Sequence, residues 1–151
     1  MANLQTLSPE GAKFIQNFEG FKPKPYRDSG GLWTIGFGQR ITDEEVAAFK
    51  DGITREEASA MFDTWISSLV VRLRKCPLAL LQYQFDAVCS LAYNIGLTAF
   101  LESTIYKQLT VRGVDLSGWL AFIKDARGHV DDGLVQRRRL EMKLFIYSIY
   151  N

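Results

Sequence analysis

The stretch FEGFKPKPYRDSGGLWTIGFG, Phe18–Gly38, decides how this chain reads. An apolar helix face runs straight into Glu19 and stops at Gly20. Pro23 and Pro25 forbid a continuing helix, because proline lacks the backbone donor and disfavours helical geometry in the residue before it. Gly30, Gly31, Gly36 and Gly38 mark turns or close backbone approach. Between them, LWTIGF is built of strand formers, and alternation puts Trp33, Ile35 and Phe37 on one face, Leu32 and Thr34 on the other. The segment predicts a small, irregular antiparallel sheet after the first helix, extending towards Arg40–Ile41.

Outward from that stretch, helices dominate. Upstream, Ser8 is placed to cap a helix, Pro9 fits its first position, Glu10 suits its positive end, and Phe14, Ile15 and Phe18 form its apolar stripe. Downstream, Thr42 with Glu45 and Thr54 with Glu57 are capping boxes. The first opens a short helix. The second opens a long one with the stripe Ala58, Met61, Phe62, Trp65 and Leu69, which ends near Pro77 and can serve as a rod joining two lobes. Residues 82–95 read as a strongly apolar helix closed by Gly96. Shorter helices are expected at about 99–109 and 116–126, and a last one at about 134–149 with Leu140, Leu144, Phe145 and Ile149. Gly52 and Gly113 read as short-loop glycines. The expectation is a mostly helical α+β protein. A small N-terminal lobe (about 14–55) carries the short sheet, and a linking helix (about 55–76) leads to a larger helical lobe (about 77–151). Residues 1–13 pack on the helical lobe, and a cleft between lobes is the usual place for a substrate.

Composition narrows the classes. The 151 residues, 47% apolar and 23% charged, suffice for a core without metal or disulfide staples. No run of 18 apolar residues spans a membrane, and the start MANLQTLSPEG does not read as a secretory signal. Cys76 and Cys89 read as free thiols, and a lone histidine, His129, with no zinc-spaced cysteine pair leaves no metal site. No cofactor is expected. The net charge of +1 hides an asymmetry. Residues 1–70 carry 7 basic and 10 acidic side chains, and residues 71–151 carry 11 and 7. A basic C-terminal part with Arg137, Arg138 and Arg139 suits a polyanion such as a bacterial wall or nucleic acid, or is simply a solvated helix face.

Glu19, Asp28 and Thr34 place two carboxylates in different surroundings, with a hydroxyl, within sixteen residues. Glycoside hydrolysis needs one carboxyl to donate a proton and a second, ionised group to activate water or stabilise positive charge. Glu19 sits at a helix C-terminus, where the dipole disfavours negative charge, and Phe18 and Phe21 flank it. Asp28 lies in a polar loop beside Arg27, Ser29 and Gly30, and Thr34 is placed to share a water with it. Each residue also has a plain structural reading: a surface glutamate, an Asx-turn and a strand threonine.

The run Glu19, Gly20, Tyr26, Asp28, Gly31, Thr34, Gly36 and Gly38 resembles the catalytic signature of the phage-type lysozymes, the endolysin muramidases of glycoside hydrolase family 24. FDAVCSLAYNIGLTAFLESTIYKQL, residues 85–109, resembles the family's central helix and its successor. GLVQRRRLEMKLF, residues 133–145, resembles its arginine-rich closing helix. The resemblance implies cleavage of the β-1,4 bond from N-acetylmuramic acid to N-acetylglucosamine in peptidoglycan, with inversion. Glu19 would be the general acid, Asp28 and Thr34 would handle the attacking water, Asn94 would bind the sugar, and Arg137 would form a salt bridge to Glu19. Gln39 departs from the pattern, since relatives usually carry a histidine there. The resemblance further implies a monomer whose partner is peptidoglycan, with no nucleic acid and no stable membrane insertion. It would be made in the host bacterial cytoplasm and act in the periplasm or wall, or be attached to a phage tail. A lytic transglycosylase and a non-catalytic wall-binding or virion-structural domain are the competing readings.

Overall fold

The computed structural model describes residues 5–111 and 115–151, so Gly113 lies outside the described residues. Residues group into two compact units, Ile15–Ser68 and Met1–Phe14 with Leu69–Asn151. In order, the elements are α1 (Pro9–Glu19), β1 (Lys22–Arg27), β2 (Trp33–Gly36), β3 (Gln39–Arg40), α2 (Asp43–Ala48), α3 (Arg55–Leu73), α4 (Gln82–Ile95), α5 (Leu97–Leu101), α6 (Thr104–Thr110), a 3-10 turn (Ser117–Ala121) and α7 (Asp132–Tyr147). The protein is thus α+β, with a small sheet-bearing N-terminal lobe and a larger helical C-terminal one.

In the unit Ile15–Ser68, the three strands pair antiparallel in the order β1-β2-β3. Tyr26 faces Thr34 and Lys22 faces Gly36, with an irregularity between them where Pro23 and Pro25 fall. β1 is an edge strand, the place where proline's missing donor does least harm. The strand residues do not alternate as expected: Thr34, Ile35 and Phe37 are all buried. The core here is aromatic. Phe37 stacks between Phe21 at 5.6 Å and Phe62 at 6.3 Å, and the Arg55 guanidinium lies 4.8 Å from the Phe21 ring centre. Both capping boxes form. Glu45 N–H donates to Thr42 Oγ1, and Thr54 N–H donates to Glu57 Oε2 at 2.7 Å while Glu57 N–H returns to Thr54 Oγ1 at 3.1 Å. The buried stripe of α3 is Ala58, Phe62, Ile66, Val70 and Leu73, while Trp65 is 51% exposed. Steps of four down one face select Ile66 rather than the bulkier Trp65.

In the other unit, α4 is buried over eight consecutive residues, Phe85–Ala92, and α7 is its main neighbour. Ser8 caps α1 by accepting from Gly11 N–H at 2.9 Å. The single helix expected over 99–109 is two, because Ser103 breaks it. Its hydroxyl donates to Phe100 O and accepts from Tyr106 N–H, capping α6. The helix expected over 116–126 is only a 3-10 turn. Gly118 packs on Ile105, where a Cβ would come within 2.5 Å of the backbone nitrogen. Beyond it, the Asp125 carboxylate accepts from Arg127 and His129 N–H and folds the chain into a Lys124–Val130 bridge. Both cysteines are free thiols, and burial pushes the Cys89 thiol well up.

Candidate active site

Glu19 is the last residue of α1, and Gly20 turns the chain with φ +68°. The turn between β2 and β3 comes up against its carboxyl group. A Cβ on Gly38 would lie 3.0 Å from Glu19 Oε2, and Gly38 has φ +87°. Glycine is needed there twice over, for the left-handed backbone and for the space. The turn itself is clamped by Gln39, which is buried. Gln39 Oε1 accepts from Phe37 N–H at 3.0 Å and its Nε2 donates to Phe37 O at 3.2 Å. The Gln39 amide therefore braces the backbone on the Glu19 side without a charge.

Asp28 follows β1 and organises the hairpin loop. Its Oδ1 accepts from Gly30 N–H and Leu32 N–H, each at 2.9 Å. Oδ2 takes part in none of the described hydrogen bonds. The Asx-turn and the chemical reading are thus compatible, one oxygen serving each. Arg27 Nη1 donates to Gly31 O at 2.7 Å and its guanidinium sits 4.4 Å from the Trp33 ring centre, which stiffens the same loop.

Thr34 is 3% exposed. Its hydroxyl donates to Leu32 O at 3.0 Å, so its hydrogen is used internally and its oxygen is left as an acceptor.

Tyr26 ties these groups together. It faces Thr34 across the strands and stands two residues before Asp28. Burial raises its phenol above the usual range, and the charges of Glu19 and then Asp28 add to the shift. The Tyr26 hydroxyl thus lies within electrostatic reach of both carboxylates. The sequence brings Tyr26 in only as a member of the family signature, two residues before Asp28, and assigns it no role.

Asn94 and Arg137 belong to the other unit. There, a buried charge cluster joins α4 to α7. Glu141 is fully buried and accepts from the Ser90 hydroxyl, from Trp119 Nε1 at 3.2 Å and from Arg137 Nε at 3.3 Å. Arg138 Nε lies 2.8 Å from Glu141 Oε1, a charge contact not aligned as a hydrogen bond, and Arg138 Nη2 donates to Glu141 Oε2 at 3.3 Å. Arg137 Nη2 also donates to Ser90 O at 3.2 Å. Asn94 is exposed, and its Oδ1 accepts from Arg138 Nη2 at 2.8 Å. Two of the three consecutive arginines are therefore interior, and only Arg139 is exposed. The participation of Ser90, Trp119, Arg138 and Glu141 carries no signal in the sequence beyond four-residue spacing on α4 and α7.

Among the described residues, no cluster of three or more His, Cys, Asp or Glu could hold a metal ion, and no helix is long and apolar enough to cross a membrane.

The family model for phage lysozyme matches residues 16–141, most of the chain and every residue of this site. The chain belongs to the phage lysozyme family. It is 37% identical over 149 residues to the endolysin of Acyrthosiphon pisum secondary endosymbiont phage 1, covering 92% of this chain and 97% of that one. It is 32% identical over 148 residues to the endolysin of Salmonella phage P22, covering 95% and 99%. The structure superposes on an endolysin from Escherichia coli O157:H7 phage FAHEc1 with a TM-score of 0.85 at 30% identity, over 100% of this chain and 99% of the other. As a phage lysozyme it carries the family's muramidase-type hydrolase activity.

Proposed function

We propose that this phage lysozyme hydrolyses the β-1,4 bond between N-acetylmuramic acid and N-acetylglucosamine in bacterial peptidoglycan, in a single displacement that inverts the anomeric carbon. Glu19 gives its proton to the leaving oxygen as the glycosidic bond breaks. A water held by Asp28 and Thr34 attacks from the opposite face, and its proton passes to Asp28. The products are a reducing sugar and an alcohol, and solvent returns the proton to Glu19.

The observation that carries this reading is the hydrogen-bond state of the two water-holding groups. Asp28 uses Oδ1 in its own loop, with Oδ2 outside the described hydrogen bonds, and Thr34 has already donated its hydrogen to Leu32 O. Both therefore offer acceptors. A water that donates one hydrogen to each keeps a lone pair for the sugar carbon. The same reading gives Arg137 the role of counter-charge to Glu19, and Asn94 that of a sugar-binding amide. The enzyme would act as a monomer, made in the host cytoplasm and working in the periplasm or wall.

Replacing Glu19 by glutamine tests the assignment. The expected outcome is a loss of about 10²–10⁴-fold in reducing ends released from purified peptidoglycan, the usual worth of a general acid, with the circular dichroism spectrum unchanged. Undiminished release would sink it. Sugar ends in the 1,6-anhydro form would indicate a lytic transglycosylase instead, and binding without cleavage by the unsubstituted chain would indicate a wall-binding domain.

A further inference from the structure

Asn94 stands one residue before the end of α4, where Gly96, with φ +88° and its N–H bonded to Ala92 O, closes the helix. The cap is made by the glycine, so the Asn94 side chain is not needed for it. That side chain instead meets Arg138. A guanidinium has five N–H donors and no lone pair, so the Asn94 atom 2.8 Å from Arg138 Nη2 is the amide oxygen. Both N–H groups of the amide are then turned away from Arg138. Asn94 is exposed, whereas Arg138 is fully buried.

Arg138 has little freedom to release this grip. Its Nε stands 2.8 Å from Glu141 Oε1, and its Nη1 donates to Phe122 O at 3.4 Å. Glu141 is in turn held by Ser90, four residues before Asn94 on the same face of α4, and by Trp119. The residues that fix Arg138 thus come from α4, α7 and the segment around the 3-10 turn. An asparagine on a helix surface ordinarily flips between presenting a donor and an acceptor. This one presents donors.

We propose that Arg138 is a positioning residue for substrate. It holds the Asn94 amide with oxygen inward and NH₂ outward, so that the end of α4 selects a hydrogen-bond acceptor, the acetamido carbonyl of the glycan. The inference rests on the muramidase reading above. It separates Arg138 from Arg137 within one arginine run: Arg138 acts on binding through Asn94, without touching the sugar.

The test uses the full chain and un-crosslinked glycan strands. Binding is measured with Glu19→Gln protein, where turnover is blocked, and KM and kcat with Glu19 intact. Asn94→Asp keeps an acceptor for Arg138 but replaces the outward donors by an acceptor. Its Kd and KM are expected to rise about ten-fold, the scale of one lost hydrogen bond, with kcat and folding kept. Arg138→Lys is expected to raise KM similarly, and to add nothing to KM in an Asn94→Ala background. Unfolding by urea shows how far each variant is destabilised, which a purely structural role for Arg138 would explain without the KM effect. Unchanged KM in Asn94→Asp, or additive KM effects of Arg138→Lys and Asn94→Ala, would overturn the proposal. An unsubstituted chain that neither binds nor cleaves the strands would overturn the muramidase reading, and this inference with it.

Discussion

Gly38 sets the tightest constraint on the candidate acid. An alanine there would hold a left-handed backbone at a cost of about 1–2 kcal/mol, and would press on the end of the Glu19 side chain. The carboxyl group is the flexible partner, so it is the one that moves. Gly38→Ala should therefore lower kcat by up to about a hundred-fold through misplacement, while calorimetry shows only a modest loss of stability. Tyr26 offers a second reading of the same geometry. Its phenol is raised first by burial and then by Glu19 and Asp28. In Glu19→Gln, site-resolved NMR titration of Tyr26 should show its pKa lower than in the unsubstituted protein but still above the ordinary value of 10.0. No change would mean that the two side chains are not neighbours. Glu19, Asp28 and Thr34 were legible in the sequence because each sits on a local signal: a helix end, an Asx-turn and a glycine-flanked strand. Tyr26 entered only as a member of the family signature, since the burial and the two charges that act on it come from different elements.

At the scale of elements, α7 departs most from its sequence pattern. An apolar stripe of Leu140, Leu144, Phe145 and Ile149 was expected, and the arginines read equally well as a solvated face. The buried residues are instead Arg137, Arg138, Glu141 and Leu144, and Ile149 lies exposed beyond the helix end. Periodicity could not reveal this, because charged residues are interior only when a partner waits for them, and the partners here sit on α4 and beside the 3-10 turn. Glu141→Gln would leave two buried guanidinium groups under-compensated. Urea unfolding should show a loss of about 3–5 kcal/mol, against a change within about 0.5 kcal/mol for the exposed Arg139→Ala. The segment 116–126 failed as a helix for a similar reason. Its apolar residues have helical spacing, but Gly118 must pass the α6 backbone and Asp125 captures the chain in a turn.

At the scale of the whole chain, α4 is the element to which both ends of the sequence are tied. Fully buried Asp86 accepts from Ser8 N–H at 3.0 Å, from the Ser8 hydroxyl at 2.5 Å, from Gln82 at 2.9 Å and from the Tyr150 hydroxyl at 2.6 Å. Burial, with the bond to Asp86, pushes the Tyr150 phenol from 10.0 to about 12. A raised pKa means that the folded state holds this proton more tightly than the unfolded state does. The contribution is complete below pH 10 and is lost as pH rises through about 12. Thermal midpoints measured across that window should fall more steeply for the unsubstituted chain than for Tyr150→Phe. By itself the sequence determined the helices with their capping boxes, the interrupted sheet and the family resemblance, and it offered Glu19, Asp28 and Thr34 as the candidates for the proposed chemistry. All of these rest on spacing along the chain. Only the tertiary structure decided that Arg137 and Arg138 are interior, that Gln39 clamps the turn beside Glu19, and that Asp86 gathers the two termini. The arginines and Asp86 find partners in distant parts of the chain and Gln39 folds back on Phe37 two residues away, and in neither case does sequence spacing record which partner a buried polar group will meet.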